Sequence, residues 1–138
     1  MLSPTKINHI ALGVTDMEEA LHFWQEALGL QLDRVEDVPV EKARVAFFHV
    51  GESEIELVQP TSNDTGLANC LEKKGPGIHH LCLEVDDIKA MIDQLISKGV
   101  EMINDSARTR DDGKKYAFIH PKSTHGVLVE LYELPNIE

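Results

Sequence analysis

Four residues of this chain have the chemistry of a metal site: His9, Glu56, His80 and Glu130. Imidazole nitrogens mixed with carboxylate oxygens suit Mn, Fe, Co, Ni or Zn, and four such ligands on an octahedral ion leave two positions for water or substrate. Glu56 stands between Ile55 and Leu57, and Glu130 between Val129 and Leu131. A carboxylate in so apolar a strand is costly to bury unless it is paired or metal-bound. Taken singly, a strand histidine is more readily a hydrogen-bonded core group, and a strand glutamate a solvated one. The weight shifts because the four residues are two copies of one pattern.

A shift of 71 positions carries Ile7 onto Ile78, His9 onto His80, Val14 onto Val85 and Asp16 onto Asp87. The same shift carries Ala46, Phe47 and His49 onto Ala117, Phe118 and His120. Three extra residues before the last strand make the shift 74, and Glu56 then falls on Glu130. A series of identities in one order is the mark of an internal duplication. Two equivalent strands related by a pseudo-twofold would converge two imidazoles and two carboxylates on one point.

The elements that must position these groups read the same way twice. Residues 7–14 and 78–85 are apolar and β-prone, so strands are expected there. Met17, Ala20, Leu21, Trp24 and Leu28 recur at helical spacing, as do Ile88, Met91, Ile92 and Leu95. Asp16 and Glu19 suit a capping box, and Gly29 and Gly99 suit the left-handed ends of helices. Short strands are expected near Leu30–Val35 and Val100–Ile103. Hairpins follow: Arg44–Val50 with Glu54–Gln59, and Lys115–His120 with Val127–Glu133. Gly66–Gly77 reads as a join with a helical piece near Leu67–Lys73. The expectation is an α+β chain of paired βαβββ modules, a single domain over 1–138 with repeats at about 6–62 and 77–134.

Strand side chains alternate, so parity sorts them by face. His9 shares its face with small Ala11 and Gly13, whereas Ile10, Leu12 and Val14 point to the core. His80 shares its face with Cys82, opposite Leu81, Leu83 and Val85. Each histidine thus occupies the less bulky face, as the wall of a cavity would. His79 is expected to be structural, and His49 and His120 to serve packing or loop contacts. His22 reads as an exposed helical residue and His125 as a turn residue.

Composition narrows the partners. The chain has 138 residues, 42% of them hydrophobic, which is enough for a buried core. A net charge of −11 opposes nonspecific binding to nucleic acid or membranes. The basic residues Arg108, Arg110, Lys114, Lys115 and Lys122 are the one concentration that could meet a phosphorylated ligand. No apolar run reaches the roughly 18 residues of a membrane span. Met1–Lys6 has the features of neither a signal nor a transit peptide. With two cysteines, Cys70 and Cys82, the expected location is cytoplasmic.

The segments INHIALGV, EEALHFWQEALGL, EIELVQP, GIHHLCLEVDDI and FIHPKSTHGVLVELYE resemble the vicinal oxygen chelate (glyoxalase-like) superfamily. The resemblance runs from Lys6 to Leu134. HHLCLEVDDI and HPKSTHGVLVEL are most similar to the methylmalonyl-CoA epimerases, and the D-P-D-G-like turn common in glyoxalase I relatives is absent. The resemblance implies a central metal cavity with one divalent ion (Co, Mn, Ni or Zn) on His9, Glu56, His80 and Glu130. It implies an isomerase that inverts the carbon between a carboxylate and a thioester carbonyl in an acyl-CoA. Glu130 and Glu56 would then be the acid/base pair and Lys122 a contact for the coenzyme A phosphates. Some epimerases have an extra acid/base glutamate on the strand before the second ligand, where this chain has Val45. A homodimer is expected by analogy. The alternatives are a glyoxalase I-type lyase acting on a glutathione hemithioacetal, a thiol transferase, and a non-enzymatic sequestering protein of the same fold.

Overall fold

The computed structural model describes residues 1–135 and falls into two compact units, one of Met1–Asn8 with His80 onward and the other of His9–His79. The boundary lies inside two strands, β1 (Lys6–Gly13) and β5 (Gly77–Glu84).

In the His9–His79 unit, the sheet runs β2 (Leu32–Val38), β3 (Ala43–Val50), β4 (Ser53–Pro60), β1. β2, β3 and β4 pair antiparallel, and β4 pairs parallel with β1. Val14, Met17, Ala46, Phe48 and Leu57 form its core, with Leu12, Trp24, Leu30 and Ile55 packed against them. The expected helix starts at Asp16, whose carboxylate accepts the Glu19 N–H. It is α-helical only over α1 (Met17–Leu21) and then widens into a π-helix over His22–Ala27. The Leu28 N–H reaches the Phe23 carbonyl, the i to i+5 bond of a π turn. That widening moves the later residues round the axis, so Leu28 is half exposed and Leu30 takes its place in the core. Gly29 has φ +84 and ends the element in the left-handed region. A further helix, α2 (Gly66–Lys74), is capped by Thr65 and brings Leu71 over Gly13. A Cβ at Gly13 would lie 3.2 Å from a Leu71 methyl and 3.3 Å from a Leu67 methyl, so a larger residue there would have to push those side chains aside by a few tenths of an ångström.

The other unit repeats the plan with β5, β8 (Val129–Glu133), β7 (Lys115–Ile119) and β6 (Arg108–Thr109) in that order. Here α3 (Ile88–Ser97) is a regular helix, capped by Asp87 through the Ala90 N–H. Ile88, Met91 and Ile92 pack with Val85, Ala117, Ile119, Val129 and Leu131. The strand expected at Val100–Ile103 is not a ladder strand. Only Met102 makes a bridge, to Ile119, and Asn104 explains why. Its side-chain oxygen accepts the Phe118 N–H at 2.9 Å, taking the place of a backbone acceptor, and the chain then turns away. Pairing with β7 resumes at Arg108 and Thr109.

Candidate active site

Register places the four candidate ligands. In the His9–His79 unit, Ala11 on β1 lies beside Glu56 on β4, and Phe47 on β3 lies on the other side of Glu56. His9, two residues before Ala11, shares that face, and its Nδ1 is 3.3 Å from Glu56 Oε2. The His9 side chain is 2% exposed and that of Glu56 16%. In the other unit Cys82 lies beside Glu130, with Phe118 on its far side. His80, two residues before Cys82, approaches Glu130 Oε1 through Nε2 at 3.1 Å. The Phe118 ring meets the imidazole edge to face. Each unit therefore holds one imidazole and one carboxylate in contact on the face opposite its apolar core. Buried acids need such partners.

The other predicted residues go elsewhere. His49 is exposed and stands 3.6 Å from Asp33 and 4.0 Å from Glu54. His120 accepts the Lys122 N–H through Nδ1 and caps the short 3-10 turn Pro121–Ser123. Lys122 itself is exposed in that turn. His22 is exposed, and Glu26 beside it raises its pKa above 6.5, first by a hydrogen bond and then by charge.

The basic cluster divides. Lys115 pairs with Glu133 and Lys114 with Asp112. Arg110 is not a surface cation of that set. Its Nη2 lies 3.3 Å from Glu130 Oε2, and its guanidinium covers the Tyr116 ring at 4.2 Å. Sequence reading missed this partnership, because nothing local ties residue 110 to residue 130. One signal was available: Tyr116 and Tyr132 lie at the even positions that share a face with Phe118 and Glu130.

Val45 is buried and, by parity, on the same face as Phe47 and Glu56. No acid stands on β3. The carboxylate that register sets beside Val45 is Glu36 of β2, held by Arg34 Nε at 2.7 Å.

A model of the glyoxalase/bleomycin resistance protein/dioxygenase superfamily matches residues 8–118. The mitochondrial methylmalonyl-CoA epimerase of Mus musculus is 38% identical over 127 residues, which are 91% of this chain and 71% of that protein. The chain belongs to the methylmalonyl-CoA epimerase family of this superfamily. A second family member, the ethylmalonyl-CoA/methylmalonyl-CoA epimerase of Cereibacter sphaeroides, is 34% identical, with 94% of this chain and 98% of that one covered. A structure of a methylmalonyl-CoA epimerase in complex with methylmalonyl-CoA and NH4+ superimposes with a TM-score of 0.86 at 30% identity, covering 99% of both chains. The glyoxalase-like fold and the epimerase resemblance expected from the sequence are both borne out. Epimerases are isomerases, and the family is one of enzymes.

Proposed function

We propose that this protein interconverts the (2R) and (2S) forms of methylmalonyl-CoA, with a divalent metal held by His9, Glu56, His80 and Glu130. The observation that carries the metal is the contact of an imidazole with a carboxylate in each unit, at 3.3 Å and 3.1 Å, with His9 and Glu130 buried and His80 and Glu56 part-buried. Two nitrogens and two oxygens are a donor set that Co, Mn, Ni or Zn accepts. When bound, such an ion supplies Lewis-acid stabilisation of negative charge on the substrate oxygens.

The chain's own residues must move two protons. One carboxylate takes the proton from the carbon between the carboxylate and the thioester carbonyl, and the electron pair of that C–H bond passes into the carbonyl as an enolate. A carboxyl group on the opposite face returns a proton to the same carbon, so no proton is gained or lost overall. Glu130 and Glu56 are the proposed pair, since β3 offers Val45 where a further acid would stand. Contact with an imidazole, with Glu130 buried and Glu56 part-buried, suits each to such a role. Lys122 is the proposed contact for the coenzyme A phosphates, supported by its exposure in the 3-10 turn. A Lys122→Glu variant is expected to raise KM with kcat little changed.

The same reading includes a homodimer and a cytoplasmic location. An apolar recess of about 500 Å³ in the His9–His79 unit, walled by Ile10, Leu12, Trp24, Ile55 and Ile78, is a surface that pairing would cover. Neither cysteine is in a disulfide, and no helix of the described residues is long and apolar enough to cross a membrane.

The deciding experiment is proton exchange in heavy water with added Co or Mn. Deuterium is expected to enter methylmalonyl-CoA at the inverted carbon. Entry into a glutathione hemithioacetal alone would replace the epimerase reading with a glyoxalase I-type one.

A further inference from the structure

The two oxygens of Glu130 face different partners. Oε1 faces His80 Nε2 at 3.1 Å, and Oε2 faces Arg110 Nη2 at 3.3 Å. The carboxylate is 2% exposed, so these contacts are made largely out of water. The guanidinium is fixed from beneath as well. It covers Tyr116 at 4.2 Å and lies 5.8 Å from Tyr132, and those two tyrosines face each other across β7 and β8. Its main chain is tied too: the Arg110 N–H donates to Lys114 O, and Arg110 O accepts the Gly113 N–H. A planar fork stacked on an aromatic ring gives up little further freedom when it binds a carboxylate.

We infer that Arg110 is a positioning residue for Glu130: it holds Oε2 and leaves Oε1, beside His80, as the single oxygen turned toward a metal. The inference rests on the proposed role of Glu130 as a ligand. Two effects of Arg110 oppose each other. Its charge repels a nearby cation, so removing it would tighten metal binding. Its grip orders the ligand, and loss of such a supporting contact commonly weakens a site 10- to 100-fold. The positioning role requires the second effect to win, so the sign of the change is the test.

Arg110→Met and Arg110→Lys are compared with the wild type by cobalt titration, followed by the absorption of the bound ion, and by crystal structures of the metal-free proteins. R110M is expected to bind cobalt roughly tenfold or more weakly, with the Glu130 side chain turned from its wild-type position. R110K keeps the charge but lacks the stacked fork, and an intermediate loss is expected. If R110M does not fold, R110K alone decides, since its charge still compensates Glu130. Unchanged or tighter cobalt binding overturns the inference. So does a Glu130 side chain that stays in place in the variant that folds. If the wild type binds no cobalt, the metal reading fails, and the Glu130 position in the variants still decides the role of Arg110.

Discussion

Glu133 accepts the backbone N–H of Ile88 through Oε1 at 2.9 Å, so the last strand of its unit latches the first turn of α3. The other unit has the same device at corresponding positions: Gln59 Oε1 accepts the Met17 N–H at 2.8 Å. The shifts of 71 and 74 carry Met17 onto Ile88 and Gln59 onto Glu133, so the duplication extends to a hydrogen bond between side chain and backbone.

The first turn of a helix has N–H groups with no partner in the helix, and the latch satisfies one of them. Glu133→Ala and Gln59→Ala are each expected to cost about 1 kcal/mol of stability. Urea melts would read this as a lower midpoint at unchanged slope, and Glu133→Gln should retain most of it.

Conservative change at Glu56 and at Glu130 tests the proposed pair, and each Gln variant is expected to lose exchange. Glu130→Gln keeps the shape, removes the base, and should lower deuterium exchange at least about 100-fold. Glu56→Gln with near-normal turnover and metal still bound would make Glu56 a ligand only. The second proton carrier would then have to be sought elsewhere, Glu36 being the carboxylate beside Val45.

Chelation is expected to abolish turnover and lower Tm, because an ion that binds only the folded protein stabilises it. At a metal concentration of about 100 Kd that stabilisation is roughly 2.7 kcal/mol. Calorimetry with and without chelator measures it. A Tm at saturating Co or Mn equal to that with chelator would sink the metal reading.

His22 makes a pH prediction. Glu26 Oε2 lies 2.5 Å from its Nδ1 and raises the histidine pKa above 6.5. A raised folded-state pKa means stabilisation that is fully present below the unfolded value and lost as pH rises through the folded one. His22→Gln should therefore lower Tm slightly at pH 6 and leave it unchanged at pH 9. A difference that grows with pH would refute the assignment. The pair is exposed, so the effect is small.

How much was legible depended on how local each feature is. Asp16 and Asp87 cap their helices through N–H groups three residues on, a distance readable from spacing. Strand parity correctly set His9 with Ala11 and Leu12 with the core, because alternation is a property of any extended chain. The π-helix after Leu21 was not legible, since the apolar spacing over Met17–Leu28 suits an ordinary helix. Nor was the loss of the strand at Val100–Ile103, which turns on one asparagine side chain competing with backbone.

The sequence by itself determined the twofold pattern, the element order in each half, and which four residues are proposed as nitrogen and oxygen donors to a metal. These follow from periodicity and residue type, which act over a few positions. Only the tertiary structure decided that Arg110 belongs to Glu130, and that Gln59 and Glu133 hold the starts of the helices. Those contacts join residues 20, 42 and 45 positions apart. They depend on strand register and on the path of a loop, and neither is encoded by spacing along the chain.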